Sequence, residues 1–80
     1  MANALFLIKT SCETSPRALT VVRRNFIIPV SISGDPTEDM LQVDMAMGVA
    51  VKNAVGDMAK GFNVPFNSVE LEVMSSQILP

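Results

Sequence analysis

Thr14, Ser15 and Arg17 are the residues of this chain best suited to bind a ligand. The two hydroxyls and the guanidinium flank Pro16, a residue that favours the first position of a helix. Free N–H groups at a helix start, together with such side chains, can hold a carboxylate or a phosphate. We therefore predict a ligand-binding site for a small anion at these residues. The alternative is that Ser15 serves only as the helix cap.

The sequence offers little for catalysis or metal binding. It has no histidine and a single cysteine, Cys12, so a thiol nucleophile would lack the imidazole that usually activates it. Asp44 has no second carboxylate at metal-ligand spacing in its segment, and Asp35, Glu38 and Asp39 lack the glycine and terminal glutamate of a calcium loop. We expect no catalytic residues, no metal and no cofactor. An enzyme whose site is shared between subunits is the remaining enzymatic alternative.

The composition is that of a small, apolar and weakly acidic chain. Of its 80 residues 49% are hydrophobic and only 18% are charged, and the net charge is −2. The absence of Trp, Tyr and a basic stripe argues against nucleic acid as a partner. A lone cysteine fits a reducing compartment, and no segment approaches the roughly 20 apolar residues that span a bilayer. We expect a cytoplasmic protein that does not bind membranes.

The length allows one domain, residues 1–80. A chain of this size buries only about 60 to 65% of the surface that its unfolded form exposes. One sheet and short helices cannot hide so many apolar side chains. We therefore expect a second copy to complete the burial, most simply as a two-fold homodimer.

Alternation of apolar and polar residues predicts four strands. The segments are residues 5–12, 26–32, 40–47 and 69–73. Pro29 removes a backbone donor from the second of these strands, which places that strand at an edge of the sheet.

Residues 16–25 are interpreted as the first helix. The segment has a good cap in Ser15 and a proline at its first position, and it ends on two arginines that suit the negative end of a helix. A competing interpretation makes residues 18–24 a strand, because residues 20–22 are all β-branched. The helix start and the basic end favour the helix.

Residues 49–60 are interpreted as the second helix. Residues 35–38 also form a good helix start, so the competing interpretation is one long helix over residues 36–60. That helix would place Asp44 in its apolar sector and would carry glycines, each costing up to about 1 kcal/mol relative to alanine. A strand over residues 40–47 followed by a shorter helix avoids the first problem and is favoured.

The order of these elements predicts an α+β domain of ferredoxin-like βαββαβ fold, a four-stranded antiparallel sheet with two helices on one face. The other face would mix apolar with charged side chains. Such a face is too apolar for open water and too charged for a core, so it suits a second subunit or a partner protein. The alternative is an irregular solvent-exposed face. The residues predicted for this interface are Leu5, Leu7, Ile27, Met40, Gln42, Asp44 and Met74.

The chain resembles ACT-type regulatory domains and is similar to the small regulatory subunit of acetohydroxyacid synthase. The resemblance is carried by Leu5-Phe6-Leu7-Ile8, Ser15-Pro16-Arg17-Ala18-Leu19 and Val21-Val22-Arg23-Arg24-Asn25-Phe26. The chain departs from that family at Arg17 and Asn25, where glycine is usual. The resemblance implies a βαββαβ dimer that binds a small effector or a larger catalytic partner. Thr14, Ser15 and Arg17 are the matching loop positions.

These features predict a non-enzymatic regulatory or protein-interaction module that works as a homodimer through its open sheet face. One alternative is an effector-binding domain for an amino acid or other small anion, with its site at the loop between the first strand and the first helix. Another is an accessory protein of a phage or mobile element that binds a host protein by surface contact.

Overall fold

A computed structural model describes residues 2–80 as a three-stranded antiparallel sheet and one long helix. The elements are β1 (Ala2–Ser15), β2 (Ala18–Val30), α1 (Pro36–Phe62), a 3-10 turn (Phe66–Ser68) and β3 (Glu70–Leu79). The strand order is β2-β1-β3, so β1 lies in the centre. The chain is a small α+β protein, and the prediction of a four-stranded βαββαβ sheet with two helices is wrong.

The segment predicted as the first helix is part of a long β-hairpin. Only Pro16 and Arg17 lie outside the strands, in the turn between β1 and β2. The β-branched residues 20–22 pair with residues 10–12 of β1. Pairing along the whole hairpin outweighs the local helix signals, because each residue of the segment gains a cross-strand neighbour. The strand interpretation of residues 18–24 therefore describes this segment.

The strand predicted over residues 40–47 belongs to α1, which runs without interruption from Pro36 to Phe62. The position that a Cβ of Gly48 would take has no atom within 4 Å, so this glycine lies on an open helix surface. Asp44 is also exposed and needs no partner in the core. Gly48 and Asp44, which argued against a long helix, thus lie on its outer surface. The buried surface of α1 supplies the packing that stabilises the helix.

The core lies between α1 and one face of β1. Phe6 and Ile8 are 0% and 1% exposed. They belong to one buried cluster with Ala46, Ala50 and Ala54, which recur every fourth residue along α1. Residues at this spacing share one face of a helix, and their small side chains allow its backbone to approach the sheet closely. The contact between α1 and the sheet is consequently narrow.

The strand β3 is covered less well than β1. The helix packs mainly on β1 and β2, and Leu71 and Ile78 each remain 42% exposed. A bulge at Met74 shifts the register, because Ile8 pairs with Val73 whereas its neighbour Leu7 pairs with Ser75. Odd-numbered residues of β3 therefore face α1 before the bulge, and even-numbered residues face it afterwards.

A polar clasp joins the end of β2 to the start of α1. The carboxylate of Asp39 accepts hydrogen bonds from the N–H and hydroxyl of Ser33 and from the N–H of Gly34, at 2.8 to 3.1 Å. Asp35 caps the helix by accepting from the N–H of Thr37. The hydrogen bond from the Ser33 N–H is the main cause that lowers the pKa of Asp39 from its ordinary value of 3.8.

We expect Asp39→Asn to lower stability at neutral pH and to reduce the acid sensitivity of the fold. Because the folded pKa lies below the unfolded one, the carboxylate stabilises the fold above about pH 4 and loses this contribution as the pH falls through the folded pKa. Thermal unfolding from neutral pH down to about pH 2 should show the Tm difference between wild type and variant shrinking.

The matched control for the clasp is Asp44→Asn. Asp44 is an exposed carboxylate of the same helix, and no hydrogen bond to its side chain occurs within residues 2–80. This variant should follow the wild-type Tm at every pH. A Tm difference for Asp39→Asn that stays constant across the pH range would contradict the proposed clasp.

We expect Gly48→Ala to stabilise the protein by about 0.5–1 kcal/mol, because glycine in an exposed helix interior costs that amount relative to alanine. The new methyl group would meet nothing. Gly34→Ala makes the same chemical change at φ +94° and should destabilise. Urea unfolding of both variants measures the contrast. A destabilised Gly48→Ala variant would show that α1 is interrupted at this point.

Candidate functional site

The candidate site is the face of the sheet that points away from α1, which we call the open face. Alternate residues of each strand point to it, as the two-residue period of a strand requires. Pairing of β1 with both neighbours arranges these residues in rows across the sheet. In the order β2, β1, β3 the rows are Pro29–Asn3–Leu79, Ile27–Leu5–Gln77, Asn25–Leu7–Ser75, Arg23–Lys9–Glu72 and Val21–Ser11–Glu70.

The structure brings together only some of the residues predicted for the interface. Those that meet on the open face, in adjoining rows, are Leu5, Leu7 and Ile27. The other predicted residues do not join them, because the strand predicted over residues 40–47 is helical. Met40, Gln42 and Asp44 lie on α1, across the sheet from the open face, and Met74 occupies the bulge of β3.

The open face is apolar at both ends. Leu5 and Leu7 are half-buried on the central strand, and Ile27 beside them is 59% exposed. At the other end Leu19 and Val21 of β2 are 69% and 39% exposed. Sequence reasoning missed this second apolar end, because it placed residues 16–25 in a helix. The alternation of Leu19, Val21 and Arg23 with inward residues was the signal that could have found it.

Charges on the open face are sorted by strand. On this face β2 carries Arg23, β3 carries Glu70 and Glu72, and Lys9 lies between them on β1, which also carries Glu13 near the hairpin tip. The salt bridge found within residues 2–80 joins β2 to α1 on the other side of the sheet. The face therefore has a positive edge and a negative edge, with no salt bridge between them in one protomer.

The predicted ligand-binding residues lie at the tip of the hairpin. Thr14 and Ser15 end β1, and the hydroxyls of Thr14 and Thr20 lie 3.0 Å apart. Arg17 has φ +66°, which after Pro16 suits a type II turn, where glycine is the usual residue. No helix begins at this turn. The predicted anion site required the free N–H groups of a helix start, and this turn does not provide them.

The remaining surface features do not form a catalytic constellation. One groove of about 400 Å³ follows the start of α1, from Asp35 to Asp44, and another of about 350 Å³ lies between α1 and β3 beside Phe66. Cys12 is 3% exposed and faces the helix side of the sheet. Among residues 2–80, no three carboxylate or thiol side chains gather where a metal ion could be held.

No known protein family, curated protein or solved structure was found to match this chain. The resemblance to ACT-type domains therefore stays a prediction, and the βαββαβ fold that it implies is not the fold observed. Within residues 2–80, none of the helices combines the length and the apolar character needed to cross a membrane. The function must be inferred from the open face.

We expect Arg17→Gly to stabilise the protein by about 1 kcal/mol, because the left-handed conformation costs a residue with a Cβ roughly that amount. Urea unfolding measures the effect. The matched control, Arg17→Ala, keeps the Cβ and removes only the guanidinium, so it should stay within about 0.5 kcal/mol of wild type. A stability loss shared by both variants would show that the guanidinium makes a stabilising contact whose loss outweighs the relief of backbone strain.

Proposed function

We propose that the protein is a non-enzymatic regulatory or protein-interaction module that acts as a homodimer, with the open faces of two copies packed together. The observation that carries this proposal is the open face itself, where Leu5 and Leu7 lie on the central strand with nothing packed over them. A second copy would remove these side chains from water. We place the protein in the cytoplasm, where its single thiol stays reduced.

The shape of one protomer supports association. Its extents are 49 × 17 × 16 Å and its radius of gyration is 14.4 Å, whereas a compact chain of this length has about 12 Å. Its accessible surface is 5429 Å², compared with about 4,700 Å² for a typical monomer of this mass. A single copy thus exposes more surface than a self-sufficient domain of its size.

The open face is large enough for a specific contact. Three strands about 4.8 Å apart, each about ten residues long at about 3.3 Å per residue, give a footprint of roughly 480 Å² per copy. Two copies bury on the order of 1,000 Å², the lower limit of specific interfaces. Since area alone does not set affinity, the chemistry of the face decides how tightly two copies bind.

A second apolar patch on α1 provides an internal comparison. Met40, Leu41 and Met45 are 57% to 65% exposed near the start of the helix. This patch follows one turn of a helix, whereas the open face is continuous over three paired strands. The broad face suits a flat two-fold contact better, and the helix patch serves as the control surface.

We expect Leu7→Lys to convert the dimer to a monomer, because an unpaired ammonium group at the centre of a dry interface costs several kcal/mol. Light scattering coupled to size exclusion, at tens of micromolar protein, measures the mass. Met45→Lys, the same kind of change on the exposed helix patch, should leave the dimer intact.

Circular dichroism of Leu7→Lys verifies that a loss of mass is not a loss of fold. Wild-type protein of monomer mass at tens of micromolar would contradict the proposal. So would a dimer that survives Leu7→Lys and is abolished by Met45→Lys, since the seam would then lie on α1.

A further inference from the structure

We infer that the two copies stack with their two-fold axis parallel to β1, so that β2 of each copy lies over β3 of the other and Arg23 faces Glu72 of the second copy. This inference rests on the proposed homodimer. It adds the orientation of the two copies and names the residue pair that selects it.

Two symmetric stackings of the open faces are possible. With the axis along the strands, β2 lies over β3 of the second copy, and β1 lies over β1. With the axis across the strands, each strand lies over its own counterpart, β2 over β2 and β3 over β3. Both keep the strands of the two sheets roughly aligned, as face-to-face sheets usually are, so packing geometry alone does not choose between them.

The sorted charges choose between the stackings. With the axis along β1, the row Arg23–Lys9–Glu72 meets its own reverse, so the positive edge lies over the negative edge of the second copy. With the axis across the strands, no carboxylate of β3 can lie over Arg23, and an axis through this row sets Arg23 over Arg23 and Glu72 over Glu72 of the second copy. Like charges in a layer about 10 Å thick and largely free of water repel strongly.

The apolar residues fit the same orientation. Leu5 and Leu7 of β1 lie on the axis and meet their own copies, which forms the dry centre of the contact. Ile27 lies over Gln77 of the second copy, at the rim. Lys9 and Glu13 also lie on the axis and meet their own copies, and Glu72 is the carboxylate beside Lys9 in the same row.

The free edge of β3 is poorly suited to serve as the dimer interface instead of the open face. Two-fold pairing of β3 with β3 would place residues of equal parity opposite each other. The bulge at Met74 reverses that parity, because Leu71 and Val73 face α1 before it and Ile78 faces α1 after it. A symmetric ladder along the whole strand would set helix-side residues beside open-face residues. The bulge thus disfavours a dimer in which β3 pairs with β3.

The test is a reciprocal charge reversal. Arg23→Glu and Glu72→Arg each place like charges opposite each other in the inferred dimer, so each should raise the dimer Kd at least about tenfold. The double variant restores opposite charges and should return the Kd to within about threefold of wild type. Sedimentation velocity over a concentration series measures the three values. Lys60→Glu, the same charge change on the exposed helix, is the matched control.

Each outcome has a distinct meaning. A monomeric wild type overturns the proposed function and this inference together. A wild-type dimer that is broken by Leu7→Lys, but whose Kd is unchanged by the single reversals or not restored by the double variant, overturns only the orientation. Should a reversed variant misfold, Arg23→Gln and Glu72→Gln replace it. These neutral changes should each weaken the dimer, and an unchanged Kd in both contradicts the pair.

Discussion

The central strand β1 is the constraint on which the rest of the structure depends. Its residues 3–11 are paired on both sides, so their backbone groups are committed to the sheet, and their alternate side chains must be satisfied on two faces. One face is closed by the alanine seam of α1, which buries Phe6 and Ile8. On the other face, no element packs over Leu5 and Leu7. The same strand thus contributes the core of the protomer on one face and leaves apolar side chains uncovered on the other.

A single helix also leaves the helix side of the sheet partly uncovered. A helix is about 10 Å wide with its side chains, whereas the sheet has three strands spaced about 4.8 Å apart, so α1 covers β1 and β2 and leaves β3 half open. The remaining apolar content of the chain is spread over the outer surface of α1 and over the open face. The elongated shape follows from the same cause, because long strands and a long helix form a narrow seam without a broad core.

The sequence predicted the buried alternation of β1 and the position of Leu5, Leu7 and Ile27 on the other face of the sheet, because period-two patterning is a local property. It failed at residues 16–25 and 40–47, where local signals opposed contacts made with distant segments. Ser15 and Pro16 are good helix starters, but the residues after them pair with β1. The charge sorting was beyond sequence reasoning, since it depends on which residues share a row. The anion site failed as a helix-start site for the same reason as the first helix.

The charges in the middle of the open face weaken the case for a merely unspecific apolar surface. Burying Lys9, Arg23 and two glutamates carries a desolvation cost, so an interface selected for stability alone would replace them with apolar residues. Charges that pair across the contact in one orientation have another effect, because they favour that stacking over those that leave Arg23 and Glu72 unpaired or beside like charges. The leucines on β1 contribute binding free energy but do not fix the orientation of the partner. The sorted charges contribute little binding free energy but favour one orientation. A face that holds both is suited to binding one partner in one orientation.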